Sequence, residues 1–553
     1  MRRADELFAY LNVNGIAEGR DVLALAASHG RCRRAELVEA LSGTVPVRRF
    51  RTRYERTALR NLATLLADQP EGPTDADDAI VLVRALIDGV GVRDAGKEAR
   101  FRLIEMIVER SETEEDLDEF IDTLHIARDD AAQQHLLRAN AVNPFSGGRS
   151  IEPWQAHVNT MLASDGLDTI TLRPGEDDPF DRVSSVPAQT RGDGPLVTVI
   201  IPTYEPGSRL ATAVESLLAQ SHRSLQILIV DDASSPETAA SLDAWRERDP
   251  RIEIVHLPEN AGPYLARNIA VSEYTRGAYV TVHDDDDWSH PRKIERQVDH
   301  LEQNPDEVAN MVNAVRASDD MQFGRINGNP VWTQHALSSL MVRRSAFDVI
   351  GFWDVLNRSA DAEFNDRIRA WTARRIPVVG RVPHAFYRVR WDSLSAGEFH
   401  HGYMDARRRW YRDSYSRWHA SEIVAGRAPH LPVDDRSTRP FSVPADLCGS
   451  RQGGERSVAV DVLFAGDFRD DALDTGGIRA RIAGGANVAL LQVDSPRLAP
   501  SARVRADILD LARDPRVSIF SLKDDVIAAE TIVLDTEILR FHAEARRALE
   551  AHV

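Results

Sequence analysis

The chain has 553 residues, 43% hydrophobic and 28% charged, the balance of an ordinary globular protein with room for about three or four domains. Its net charge of −18 argues against nucleic acid as a partner and against a broad electrostatic grip on anionic lipid, though a local basic patch remains open, with 407-RRRWYR-412 as a candidate. The two cysteines, Cys32 and Cys448, fit no metal or redox spacing, the N-terminus lacks a signal-peptide core, and no run approaches the ~20 apolar residues that span a bilayer, so a cytoplasmic protein without a transmembrane segment is expected. Lysine occurs only at Lys97, Lys293 and Lys523; arginine fills the other basic positions, a codon bias that points to a high-G+C bacterial genome.

Residues 1–145 read as helical. The segment 21–28 stops at Gly30, a C-cap residue. Ser111-Glu112-Thr113-Glu114 is a capping box ahead of Leu117, Phe120, Ile121 and Leu124. Amphipathic stretches lie near 56–66, 77–86 and 99–108, without the fixed period of a named repeat. His29, His125 and His135 are isolated, so no chemistry is expected here. This part reads as a helical accessory domain for docking or assembly. A turn-rich break at 143–148 ends it, and 146–194 is a lead-in with a short helix around 154–162.

From residue 196 the pattern changes. Apolar, β-branched runs at 197–201, 226–230, 252–255 and 278–283 alternate with helical faces marked by Leu210, Val214, Leu217 and Leu218, then by Leu242 and Trp245. This is the signature of βαβ units on a parallel sheet. Polar clusters follow three of the runs: Pro202-Thr203-Tyr204-Glu205, Asp231-Asp232, and Asp284 to Asp287. In a parallel sheet those carboxyl ends share one rim, where open α/β sheets bind ligands. Four consecutive carboxylates repel one another, and either full solvation or a hard divalent cation relieves them. Their place at a strand end, opposite two other polar clusters, favours the cation, and oxygen ligands suit Mg²⁺ or Mn²⁺. Asn260-Ala261-Gly262 precedes a helix carrying Arg267 and Asn268; glycine permits close backbone approach and a helix start favours anions. Arg267 could reach a diphosphate or pair with a nearby carboxylate. Further strands are expected at 310–315 and 338–342, ahead of Gly351-Phe352-Trp353-Asp354 and 358-RSADAEF-364.

Four segments, VTVIIPTYEPG, ILIVDDASSPE, ENAGPYLARNIA and HDDDDWSHP, in this order and spacing, resemble the nucleotide-sugar-binding half of a GT-A glycosyltransferase of the inverting family 2. The resemblance covers about residues 195–395. Ala270 departs from it, standing where the family often has glycine. The lead-in, with its NPF at 143–145 and PFDR at 179–182, is similar to that of actinobacterial members. The resemblance implies metal-dependent, inverting transfer of a sugar from a nucleotide sugar, expected to be UDP-linked, to a hydroxyl of a glycan or glycolipid. Cell-envelope polysaccharide synthesis, in the cytoplasm or peripheral at the inner face of the membrane, is the implied setting. Donor contacts would come from Pro202, Thr203, Tyr204, Glu205, Asn260, Gly262, Arg267 and Asp232, the last bonding the base. The family's D-x-D-D pattern falls on Asp284, Asp286 and Asp287. Asp286 is then the direct metal ligand, Asp284 bonds ribose or a metal-bound water, Asp287 is the alternate ligand, and Asp285 is the variable position counted with the donor-binding residues. The general base falls on Asp361. Ala360 replaces the family's preceding Glu, which leaves Glu363 as a second candidate. Trp353, His384, Tyr387 and Trp391 could form a sugar-stacking wall, and His400 or His401 could complete the metal shell. The alternative is a non-catalytic nucleotide-sugar or glycan-binding scaffold on the same fold. A nucleotidylyltransferase is disfavoured, because the first strand ends in PTYEPG rather than in a glycine-rich loop carrying arginine.

Aromatic-rich helical sequence runs to Trp418-His419, so the GT-A unit is expected over 195–424, followed by a Pro-, Gly- and Ser-rich linker at 425–456. A second α/β pattern fills 457–553, with strands near 458–464, 488–493, 517–522 and 531–534. It faintly resembles one Rossmann-like lobe of a GT-B enzyme but lacks a G-x-G-x-x-G fingerprint, and reads as a non-catalytic packing or assembly module. The expected fold is α/β: a mixed-sheet GT-A core, an N-terminal helical domain through which a second copy or an envelope-assembly partner could dock, and a small C-terminal α/β lobe.

Overall fold

The computed structural model describes residues 2–541 except 15, 17, 18, 110–113, 147–149, 188, 326–329, 390–403, 449–457, 500 and 537, together with 545, 546 and 549. The capping box at 111–113, Trp391, His400 and His401 lie outside the described residues. The N-terminal part is helical, from Arg2–Asn14 to Ala131–Ala141. Helix Arg20–Ala27 ends where Gly30, at φ +81°, brings its N–H 2.6 Å from the Leu25 carbonyl. Helices Arg56–Asp68, Asp75–Val90 and Lys97–Val108 bury Leu59, Leu62, Leu66, Leu82, Leu86 and Phe101 on their shared faces.

The main sheet contains β1 (Val197–Thr203), β2 (Leu225–Asp231), β3 (Ile252–His256), β4 (Tyr279–Val282), β5 (Trp288–Ser289), β6 (Ala309–Ala317), β7 (Met341–Arg343) and β8 (Val378–Arg388). β1 and β2 are buried along their whole length, which is why they read as continuous apolar runs rather than alternating ones. The order is β3-β2-β1-β4-β7-β6-β8-β5. The first four strands are parallel, β7 is antiparallel to both neighbours, and β8 is parallel to β6. The chain moves outward from β1 to β3 and then returns to pair β4 on β1's other side. The strand order therefore reverses between β1 and β4, at the point where such sheets open a ligand crevice. The strand expected over 338–342 starts later: 337–339 is a 3₁₀ turn whose Ser339 hydroxyl accepts from the Val312 amide at 3.1 Å.

The helices flanking the sheet are α1 (Leu210–Leu218), α2 (Pro236–Arg246), α3 (Pro263–Ile269), α4 (Lys293–Gln303), α5 (Ala360–Thr372) and α6 (Ala406–Val424). The N-terminal helices share one apolar core with Trp288, Val315, Phe323, Trp332 and Phe386. A buried polar seam reinforces the junction. Arg325 pairs with Asp68 and Glu105 at 2.8 Å each, Trp332 Nε1 donates to Glu105 at 2.5 Å, and Asn140 makes two 2.8 Å bonds to the backbone of Phe323.

Residues 427–448, read from composition as a linker, are instead a packed strap. Leu431, Phe441 and Leu447 enter the core beneath α5 and α6. Asp354 and Asp435, both fully buried, accept from Arg439 at 2.7 and 3.2 Å. An anchor every few residues suffices for a strap yet leaves no helical or strand period to read.

The C-terminal lobe is a parallel sheet of β9 (Val458–Gly466), β10 (Val488–Gln492), β11 (Val517–Phe520) and β12 (Val526–Val533), in the order β11-β10-β9-β12. Its carboxyl-end crevice is filled from within. Asp467 and Asp494, just past β9 and β10, bind Arg469, and Asp494 also binds Arg409 of α6, while Trp410 packs edge-on against Phe468. The 407–412 patch is thus no free basic surface: Arg407 is paired with Asp405, Asp446 and Asp524.

Gly351 fixes the strap. It sits at φ +72°, and a Cβ there would stand 1.8 Å from the Leu431 carbonyl oxygen. Gly351→Ala is expected to cost at least ~2 kcal/mol and to lower the thermal midpoint by several degrees. An unchanged midpoint in differential scanning fluorimetry would contradict a packed strap.

Candidate active site

β4 delivers the acidic loop to the rim: the His283 amide still bonds the Ile200 carbonyl at 2.9 Å, and Asp284 to Asp287 follow. The structure gives three of these carboxylates different partners. Thr203, the last residue of β1, donates its hydroxyl to Asp285 at 2.6 Å. The Arg388 amide donates to Asp287 at 2.9 Å, and Arg267 Nη2 to Asp284 at 3.1 Å. Asp286 is half-buried, and its carbonyl accepts from Arg388 Nε at 3.2 Å. Burial, reinforced by Asp286 and Asp284, holds the Asp287 carboxyl well above the usual range. Asp284 is also raised, by burial against the opposing pull of Arg267, with Asp361 and Asp286 adding to the rise. Under the loop, burial lowers Lys293 to about 8 while Asp287 and Asp284 oppose it. Burial and Lys293 push His283 down to about 3, so it is neutral, with Nδ1 2.7 Å from the Asp284 carbonyl.

The second half of the site comes from α3 and α5. Arg267, 5% exposed, donates Nη1 to Asp361 Oδ1 at 2.6 Å while holding Asp284 with its other arm. Its guanidinium lies over the Tyr264 ring at 4.7 Å, and the Tyr264 hydroxyl donates to Asp361 Oδ2 at 2.8 Å. Burial and Asp361 hold the Tyr264 phenol well above its ordinary value, so it remains a donor. Glu363 points elsewhere, because two residues along a helix turn a side chain by ~200°. It is fully buried between Arg367, at 2.9 and 2.5 Å, and His419, at 2.8 Å. Of the two acidic candidates, only Asp361 reaches the rim.

On the nucleotide side, Asp232 accepts from the amides of Ala261 and Gly262 at 2.8 and 2.9 Å, and Asn260 donates to the Asp232 carbonyl at 3.0 Å. Gly262 stands at φ +89°, a conformation that suits glycine and opens α3. Asp231 has the turn role, accepting from the Ser234 amide at 3.0 Å and contacting His256 Nδ1 at 2.7 Å. Burial opposes protonation of His256, but Asp231 and Asp243 outweigh it and raise the imidazole. Pro202 is buried at the end of β1 and Tyr204 is half-buried. Glu205 faces the start of α2, where the Ser235 amide and Thr238 hydroxyl bond it at 2.5 and 2.6 Å and lower its carboxyl, so its side chain is spent on that helix. Trp353 packs between Phe347 and Phe364, and His384 is fully buried, so both are core; Tyr387 is half-buried, its hydroxyl 2.7 Å from Ser338.

Sequence reasoning missed three neighbours. Tyr264 lies three residues before Arg267, on the same helical face, and that spacing was the available signal. Lys293 is one of only three lysines. Arg388 has no local signal. Its fully buried guanidinium gathers Asp181, Asp319 and the Asp286 carbonyl from three segments and lies 4.3 Å from the Phe180 ring centre.

Comparison with known proteins agrees with the geometry. Residues 198–364 match the model of Glycosyl transferase family 2. A putative teichuronic acid biosynthesis glycosyltransferase, TuaG of Bacillus subtilis, is 39% identical over 107 residues, 19% of this chain and 42% of that protein. The succinoglycan biosynthesis protein ExoO of Rhizobium meliloti is 32% identical over 108 residues, 20% of this chain and 30% of that protein. The chain spans under half the length of these curated relatives. A crystal structure of S. aureus TarS 1–349 in complex with UDP-GlcNAc aligns over 41% of this chain and 66% of that one, with 17% identity and a TM-score of 0.31. The mostly parallel sheet and its rim are consistent with a GT-A fold, and residues 198–364 are similar to a family 2 glycosyltransferase domain.

The two acidic candidates make different predictions. Glu363→Ala leaves Arg367 buried without its partner and is expected to cost ~3–5 kcal/mol. Asp361→Asn keeps an oxygen for Arg267, which also retains Asp284, so it is expected to cost clearly less, ~1–2 kcal/mol. Equal destabilisation would place both residues in the core.

Proposed function

We propose that this protein transfers a sugar, with inversion, from a nucleotide sugar, expected to be UDP-linked, to a hydroxyl of a glycan or glycolipid. The observation that carries the reading is Arg267 joining Asp284 of the acidic loop to Asp361 of α5, which sets a leaving-group site beside a candidate base. The names of the relatives, teichuronic acid and succinoglycan biosynthesis, support envelope polysaccharide as the setting. Among the described residues no helix is long and apolar enough to cross a membrane, which accords with a peripheral place at the inner membrane face. We take 195–424 as the transfer unit, with the helical part and the C-terminal lobe as supports.

Asp361 takes the proton from the acceptor hydroxyl as its oxygen attacks the anomeric carbon. The bond from that carbon to the diphosphate breaks on the opposite face, and its electron pair leaves with the nucleoside diphosphate. A positioned base contributes ~10²–10⁴-fold. Asp232, Asn260 and Gly262 form the nucleotide wall, with Pro202, Thr203 and Tyr204 closing the slot. Among the described residues no group of three His, Cys, Asp or Glu stands together as a self-sufficient cation site. The oxygen-only donor set instead fits Mn²⁺ or Mg²⁺ held by Asp286 and Asp284 together with substrate phosphates, with Asp287 anchoring the loop. When bound, such an ion supplies Lewis-acid stabilisation of the leaving diphosphate.

Calorimetry of UDP binding with and without Mn²⁺ tests the donor site. Binding is expected to need the metal and to weaken at least about tenfold in Asp286→Ala. Absence of UDP binding with metal would sink the UDP assignment, and binding without turnover on any donor–acceptor pair would favour the scaffold alternative.

The Arg267 geometry makes a second prediction. Diphosphate and Asp361 compete for one guanidinium, so the donor must draw Arg267 from the base. Asp361→Ala should then lose turnover yet bind UDP about tenfold more tightly, a gain absent in an Arg267→Gln background. If the gain persists in that background, simple charge repulsion explains it and the competition does not exist.

A further inference from the structure

The short helix Val47–Arg53 and its flanks carry the sequence VPVRRFRTRYER over 45–56. Residues 31–60 hold nine arginines against three glutamates, a net of +6 in a chain whose overall charge is −18. Arg48, Arg49, Arg51, Arg53 and Arg56 are all exposed, and none forms an ion pair with a described carboxylate. Other arginines of the helical part are paired, Arg20 and Arg34 with Asp75, Arg102 with Asp68 and Arg138 with Asp118, whereas Arg31 and Arg33, beside this segment, extend the set without an ion pair to a described carboxylate. The exposed arginines are also held in place. Phe50, 1% exposed, plugs the helix against Gly89, and Arg31 reaches across to the Arg53 carbonyl. Beside them, Pro46 is exposed and Val47 is 46% exposed, an apolar turn next to a fixed cationic face.

We propose that this face docks the protein onto an anionic lipid bilayer. Charge complementarity selects an anionic partner, and the exposed Pro46–Val47 turn selects one with an apolar layer behind its charges, which lipid offers and a soluble polyanion does not. The strongly acidic remainder of the chain opposes a polyanion that wraps it, whereas a flat bilayer meets one face only. Arginine suits the role because its planar fork bonds phosphate oxygens in pairs. The inference gives the peripheral-membrane part of the proposed function a surface, and it stands or falls separately from the transfer chemistry.

Co-sedimentation of the full chain with vesicles of phosphatidylcholine containing about one-third phosphatidylglycerol tests it. Binding is expected to anionic vesicles and not to pure phosphatidylcholine, falling at least about tenfold as ionic strength rises from about 0.1 M to 0.5 M. The combined variant Arg48→Gln, Arg49→Gln, Arg53→Gln and Arg56→Gln alters only exposed side chains. It should abolish binding while keeping the thermal midpoint and UDP affinity, and Val47→Ser should weaken binding partially. Equal sedimentation of wild type and the combined variant would overturn the assignment. So would binding to polyphosphate or RNA that is as tight as to vesicles and depends on the same arginines, since the partner would then be a soluble polyanion.

Discussion

One guanidinium stands between two carboxylates that arrive from different parts of the chain. Arg267 is 5% exposed, and a buried charge of that kind is tolerated only when its partners are close and well aimed. Asp284 comes from the end of β4 and Asp361 from the first turn of α5, with Tyr264 fixing the second oxygen of Asp361. Each element must therefore be in register for Arg267 to be satisfied. Gly262 opens α3 at the needed angle, and Asp232 holds that opening through two amides. The proposed nucleotide wall, the acidic loop and the candidate base are coupled because they share this one cation and its helix.

The acidic loop meets a related constraint. Three of the four adjacent carboxylates go to different partners, Arg267, Thr203 and the Arg388 amide, and Lys293 is buried where Asp287 and Asp284 act on it. Arg388 extends that arrangement outward, to Asp181 in the lead-in and Asp319 in the turn after β6. The same turn region is gripped from the other side by the N-terminal helices, through Arg325, Trp332 and Asn140. The region after β6 is thus held from both sides, by the helical part through Arg325, Trp332 and Asn140 and by Arg388, which also bonds the acidic loop, through Asp319.

The parts of this fold legible in the sequence were those with strong local signals. Fully buried parallel strands read as apolar runs, and the acidic loop was conspicuous because nothing in a soluble loop requires four aspartates at a strand end. Strand order then placed that loop opposite Thr203. Long-range pairings were illegible. Glu205 sits in the donor segment that the family resemblance implies, yet its side chain bonds the start of α2 through Ser235 and Thr238. The strap at 427–448 looks like a linker because its anchors are sparse. The RRRWYR stretch was a candidate basic patch, with a solvated helix face the favoured reading, but its partners Asp446, Asp494 and Asp524 lie 39 or more residues away in sequence. The arginines of 48–56 were no more prominent as letters and differ only in having no carboxylate opposite them.

That difference follows from how this protein uses arginine. With 86 acidic against 68 basic side chains and three lysines in all, buried carboxylates must be neutralised almost entirely by guanidinium groups. A guanidinium has five donors in a rigid plane and can bridge elements that an ammonium, a point charge, would satisfy one at a time. Arg267, Arg325, Arg388 and Arg439 each join two or more carboxylates from separate segments. Arginines without a carboxylate partner occur elsewhere in the chain, and 48–56 stands apart because five of them are exposed together on one short segment. Lys293 differs from these arginines: it is a compact charge on a flexible stem, buried where Asp287 and Asp284 act on it. Lys293 thus carries its charge beside the acidic loop at the rim of the sheet, while the arginines of 48–56 carry theirs on an exposed segment of the helical part.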